Sequence, residues 1–80
     1  NMKLKILGTA IANPSDNNIG TATLVRVVTS AAVTLTLKAS GGSTIGTVRI
    51  SSGGMVDVVK KATDTISCAT SYATKVAYIS

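Results

Sequence analysis

Eighty residues make a single domain, expected over 1–80, near the lower size limit for a self-sufficient core. The formal charge is +5, from eight Lys and Arg against three acids, and the chain has no His, Phe or Trp, one Cys and two Tyr. This composition excludes an intramolecular disulfide, a His-based metal centre, a Ser–His or Cys–His nucleophile and an aromatic stacking platform for single-stranded nucleic acid.

The core must therefore be built from Val, Ile, Leu and Ala, which stabilise less per side chain than aromatics. Modest stability, raised by assembly, is the expectation. Residues 2–7 alternate, with Met2, Leu4 and Ile6 on one face and Lys3 and Lys5 on the other, and predict a first strand. Their apolar run is too short for a signal-peptide core. The chain contains no run of the roughly 18 apolar residues that a helical membrane span needs, so no membrane contact is expected. Residues 9–19, through Asn13-Pro14-Ser15-Asp16-Asn17-Asn18, read as a turn-rich exposed loop. Asn13 and Asp16 make it a candidate contact arm.

Residues 20–29 predict a β-branched second strand. Val25 and Val27 share one face; Leu24 and Val28 share the other, with Arg26 between them. Apolar groups on both faces imply a central strand, or one whose second face meets another subunit. Residues 32–38 predict a third strand with Val33, Leu35 and Leu37 inward, forming a hairpin with the second. Residues 44–51 predict a fourth, with Val48 and Ile50 inward and a bulge at Gly46. Ser51-Ser52-Gly53-Gly54 is expected to close a hairpin onto a fifth strand over 55–60, with Val56 and Val58 inward. A turn over 61–64 leads to a sixth strand over 65–69, with Ile66 and Cys68 inward. After a loop over 70–72 a seventh occupies 74–79, its Val76 and Tyr78 set against Lys75 and Ala77. Together, about seven short strands at regular spacing predict an all-β fold, a small antiparallel β-sandwich or barrel.

Little in the chain carries chemistry. Asp57 is expected to pair across strands with Arg49 or a lysine, and Asp64 to cap its turn. Asp16 completes the acids, and neither a carboxylate pair nor a metal-ligand spacing emerges. Gly41-Gly42 and Gly53-Gly54 lie between strands with no helix to follow, so they are not phosphate loops. No enzyme, cofactor or small-molecule substrate is expected. The basic residues are scattered singly, which suits solvated strand faces and discourages edge-to-edge aggregation. It also suits attraction to an acidic partner surface. A duplex reader would need a recognition helix or a denser basic stripe, so nucleic acid is not an expected partner.

The stretch Ser51-Ser52-Gly53-Gly54-Met55-Val56-Asp57-Val58-Val59-Lys60-Lys61-Ala62-Thr63-Asp64-Thr65-Ile66, with the later Lys75-Val76-Ala77-Tyr78, resembles small virion proteins of tailed phages, especially those of marine cyanobacterial phages. Shared with them are a short first strand, an asparagine-rich loop, a Val-rich hairpin, a Gly-turn strand, a lysine-bearing strand and a Val-Ala-Tyr ending. The resemblance implies a structural protein on the capsid exterior of a virion, a decoration (cement) protein that binds the major capsid protein and stabilises the shell. A tail or neck component is the alternative within that class, and a host-surface or glycan-binding module using Tyr72 and Tyr78 lies outside it. Arg26, Arg49, Lys60 and Lys61, with Asn13 and Asp16, are the expected protein-contact residues. Self-association as a dimer or trimer is compatible with all of these readings.

Overall fold

The computed structural model describes residues 2–79; Asn1 and Ser80, the ends of the expected domain, lie outside the described residues. Among the described residues the chain is all β, without a helix. Its strands are β1 (Lys3–Ile6), β2 (Ile11–Ala12), β3 (Leu24–Thr29), β4 (Val33–Lys38), β5 (Thr44–Ile50), β6 (Met55–Val59), β7 (Thr65–Ser67) and β8 (Ser71–Ile79). They form two antiparallel sheets. The larger runs β1-β8-β3-β6, with β2 also on β8, and the smaller runs β5-β4-β7. The expected small β-sandwich is present, with β2 as a strand that the sequence pattern did not reveal.

The core lies between the sheets. Val25 and Val27 of β3 and Ala73 of β8 meet Leu35 of β4, Ile50 of β5 and Ile66 of β7, and Ile19, Ala22 and Cys68 close the ends. Alternation along each strand places these side chains inward, because successive residues point to opposite faces. Ile11, Val33, Leu37, Val56 and Val58 pack against this cluster from its margins.

Strand partners differ from the sequence expectation. β3 and β4 do not form a hairpin: β3 pairs with β6 and β8, and β4 pairs with β5 and β7. The link between them has no residue suited to a tight hairpin turn. Instead Thr29 N donates to Gly54 O at 3.0 Å and Ser30 N donates to Thr70 O at 3.0 Å, which draws the end of β3 away from β4. Likewise 51–54 is a turn that crosses between sheets rather than a hairpin. Gly54 N donates to Ser51 O at 2.9 Å, and Gly53 N donates to Thr29 O at 3.0 Å. The glycines are needed there: Gly53 has φ +73°, and a Cβ on Gly54 would stand 2.8 Å from Ile50 Cγ2 and from Ser51 O. The β4–β5 pair is the one true hairpin of neighbours in the small sheet, and its register shifts at Leu37/Lys38, opposite Gly46, where a bulge was expected.

Residues 9–19 are not a free arm. Ile11 and Ala12 pair with Ala73 and Tyr72. Pro14 is buried, Ile19 is buried, and Asn17 bridges Ile66 through two backbone hydrogen bonds of 2.8 and 3.1 Å. The second strand starts at Leu24 rather than residue 20, because 17–22 turn tightly. Asn17 Oδ1 accepts from Ile19 N at 2.7 Å and Asn18 Oδ1 from Thr21 N at 3.1 Å. The loop expected at 70–72 is largely strand, since β8 begins at Ser71.

Candidate functional site

Register decides which side chains share the outer face of the large sheet. Leu4 lies opposite Tyr78 and Ile6 opposite Val76. Arg26 lies opposite Thr74 and Val28 opposite Tyr72. On the other side of β3, Leu24, Arg26 and Val28 face Val59, Asp57 and Met55. These residues form one surface turned away from the core. It is predominantly apolar, and Ile6 (70%), Val59 (78%), Tyr72 (56%) and Met55 (54%) are largely exposed on it. Val76 is buried, yet on this outer side: it floors a hollow of about 180 Å³ lined by Leu4, Ile6, Val28 and Tyr72. The apolar stripes of β1 and of the end of β8 thus serve the outer face, and at β8 the core receives Ala73 instead.

A polar network crosses this face. Arg26 donates to Asp57 through Nε–Oδ1 at 2.9 Å and Nη2–Oδ2 at 3.0 Å. Nη2 also donates to the Tyr78 hydroxyl at 2.9 Å, and that hydroxyl donates to Asp57 Oδ2. The guanidinium carbon lies 6.0 Å from the Tyr78 ring centroid. Hydrogen bonding from Arg26 holds the Asp57 carboxyl below its ordinary value, against the opposing effect of partial burial. The same bond raises Arg26. The expected partners of Asp57 are corrected: Arg49 sits on β5 in the other sheet, and Arg26 is the residue that register brings opposite.

The reverse side of the overhang formed by β1 and the end of β8 is basic. All of β1 is exposed. Lys3 and Lys5 lie opposite Ile79 and Ala77, and Lys75 follows two residues before Ala77 on the same face. The Lys75 Nζ donates to Gly20 O at 3.2 Å. Each acid has a basic neighbour: Asp57 with Arg26, Asp16 with Lys38 at 3.2 Å, and Asp64 with Lys60. Lys3, Lys5, Arg49, Lys61 and Lys75 are therefore left to carry the net charge of +5.

The expected contact residues are dispersed. Arg26 is bound within the outer face. Arg49 is exposed on the small sheet, where it donates to Thr34 Oγ1 at 3.2 Å. Lys61 is exposed in the turn after β6. Lys60 is only 6% exposed, and its Nζ donates to Lys61 O and Ala62 O at 3.1 and 3.4 Å. Burial lowers its pKa, with Asp64 opposing that shift. Its ammonium is therefore turned into the protein, contrary to the outward role expected. Asn13, at φ +48°, accepts from Ser71 N through Oδ1 at 3.2 Å. Asp16 binds Lys38 and, through its backbone N–H, donates to Ser67 Oγ at 2.8 Å. Asp64 caps its turn as expected, accepting from Lys61 N at 3.0 Å. The sequence already held part of the outer face, in the paired apolar stripes of β3. Only register shows that β1, β6 and β8 extend it.

Among the described residues, no group of three His, Cys, Asp or Glu is placed to hold a metal ion. Cys68 is buried. Comparison with protein-family models, curated proteins and solved structures finds no match.

Proposed function

We propose that this chain is a structural protein of a phage virion, a decoration protein that docks on the capsid exterior against the major capsid protein and stabilises the shell. The observation that carries this reading is the Lys3–Lys5–Lys75 face on the β1–β8 overhang, which presents positive charge without a neighbouring acid. Such a face complements acidic patches on a partner protein and steers association toward them. Likeness of the 51–66 stretch to phage virion proteins supplies the class of partner. Weak individual contacts, repeated over many identical lattice sites and bridging neighbouring subunits, would reinforce the shell.

The test is copy number in purified virions, by quantitative mass spectrometry against the major capsid protein. A ratio near one, or a simple fraction of one, is the expected result. A ratio of a few per cent would move the chain to the tail or neck, and absence from the particle would end the reading.

One observation favours a second reading, a glycan-binding module. Tyr72 stands half-exposed beside a hollow, and sugars stack on such aromatic faces. Signal on a glycan array that is lost in Tyr72→Ala would support this reading over shell docking; a blank array would remove it.

A further inference from the structure

We infer that the outer face of the large sheet is the interface of a symmetric dimer, its occupant a second copy of the same face. Charge singles out this occupant. The chain carries +5, so two copies repel wherever their basic surfaces meet. Of the eight basic residues, only Arg26 lies within the strand positions of the outer face, and Asp57 neutralises it there. Lys3, Lys5 and Lys75 point to the reverse side, Lys38 and Arg49 belong to the small sheet, Lys60 is buried, and Lys61 lies in the turn beyond β6, at the margin of the face. This is the surface on which two copies approach without opposing charges.

The face is also ready to be desolvated. Arg26 and Asp57 are joined by two parallel hydrogen bonds, and Tyr78 bonds both, so covering them strands no lone charge. Around this network lie Leu4, Ile6, Val28, Met55, Val59 and Tyr72, a contiguous apolar surface of the kind that marks an interaction site. Its size fits. Strands β3, β6 and β8, about 4.8 Å apart with five or more positions at about 3.3 Å, and the four positions of β1 give roughly 300 Å² in projection. Two such faces, with their side-chain relief, reach the roughly 1,000 Å² that a specific interface needs. Sheet-on-sheet stacking about a two-fold axis places each face against itself. Interfaces at that threshold are of the weak, transient class, so the dimer is reversible, with an expected Kd of about micromolar. The inference holds whatever the dimer serves, and does not depend on the virion reading.

The experiment is sedimentation velocity of the isolated chain from about 1 to about 500 µM, a range that brackets a micromolar Kd. The mass should rise with concentration from 8.0 kDa toward twice that value. Added salt should tighten the dimer, because it screens the long-range repulsion and leaves apolar burial intact. Val28→Lys and Met55→Lys place a new charge on each copy of the face, and each should weaken association at least tenfold while circular dichroism shows the fold kept. Thr34→Lys, on the outer side of the small sheet, should leave association unchanged. A chain that stays at 8.0 kDa throughout overturns the inference. So does a dimer that salt dissolves, one that survives both substitutions in folded protein, or one that Thr34→Lys disrupts equally. The salt series uses the wild-type chain, so a dimer that salt dissolves overturns the inference even if a substituted chain fails to fold.

Discussion

Arg26 and Asp57 stand directly opposite each other on β3 and β6, and two parallel hydrogen bonds of 2.9 and 3.0 Å join them. Tyr78, from β8 on the other side of β3, bonds to both. Three adjacent strands are thus tied across their solvent face by side chains, in addition to their backbone ladders. Bidentate geometry makes this pair more specific than an ordinary surface ion pair. It also fixes the orientation of Tyr78, and it holds Arg26 where it lines the Val76 hollow.

Asp57→Asn should destabilise the chain at neutral pH and have little effect in strong acid. The Arg26 guanidinium holds the folded-state carboxyl below the ordinary 3.8. A depressed folded pKa gives stability that is fully present above the unfolded value and is lost as pH falls through the folded value. Urea denaturation of wild type and variant at neutral pH and at steps below 3.8 should show the gap between them closing. A gap that stays constant with pH would mean that packing, and not charge, carries the effect.

Three turn glycines yield a graded series. Gly54→Ala forces a Cβ to 2.8 Å from Ile50 Cγ2 and from the Ser51 carbonyl, which cannot move without disturbing the inter-sheet crossing. Overpacking of this kind costs about 1–3 kcal/mol. Gly53→Ala, at φ +73°, should cost about 1–2 kcal/mol through backbone strain alone. Gly41→Ala meets open space, and its change should stay within about 0.5 kcal/mol. Thermal melts of the three variants check the order.

Alternation made the inward residues legible: Val25 and Val27, Leu35, Ile50, Ile66 and Cys68 are all buried where the period of two placed them. Partner choice was not legible. Sequence neighbours with matched patterns read as hairpins, yet β3–β4 and β5–β6 cross between sheets, because backbone bonds from Thr29 to Gly53 and Gly54 bring distant turns together. β2 is too short to show a period, and its pairing depends wholly on β8. The outer face was half visible. Leu24 and Val28 announced a second apolar side to β3, but alternation within one strand cannot say which neighbours continue it.

Ile66 tests how far so thin a core depends on single side chains. It is fully buried in the small sheet and bonded through its backbone to Asn17. Ile66→Val should cost about 1 kcal/mol. Ile66→Ala should cost about 3 kcal/mol and lower Tm by about 12–24 °C, the cavity adding to the lost transfer energy. A loss near 1 kcal/mol for Ile66→Ala would mean that the two sheets close over the gap.

Adjacent lysines should behave oppositely. Lys60 is buried, and its Nζ donates to the carbonyls of Lys61 and Ala62; Lys61 is exposed. Lys60→Ala removes the buried stem and leaves those carbonyls without their donor, a cost of about 1–2 kcal/mol. Lys61→Ala should change stability by no more than about 0.5 kcal/mol, since the Asp64 cap uses its backbone N–H and not its side chain. Burial also sets a pH dependence. The folded pKa of Lys60 lies below the ordinary 10.5, so the unfolded state holds the proton more tightly. Wild type therefore gains stability as pH rises through the folded value toward 10.5, and Lys60→Ala lacks that gain. Denaturant titrations at pH 7 and about pH 10 should show the gap between wild type and Lys60→Ala widening. A gap that stays constant would place the ammonium in solvent, free to serve the outward contact that its sequence position first implied, and one that narrows would mean that Asp64 and the two carbonyls hold it charged.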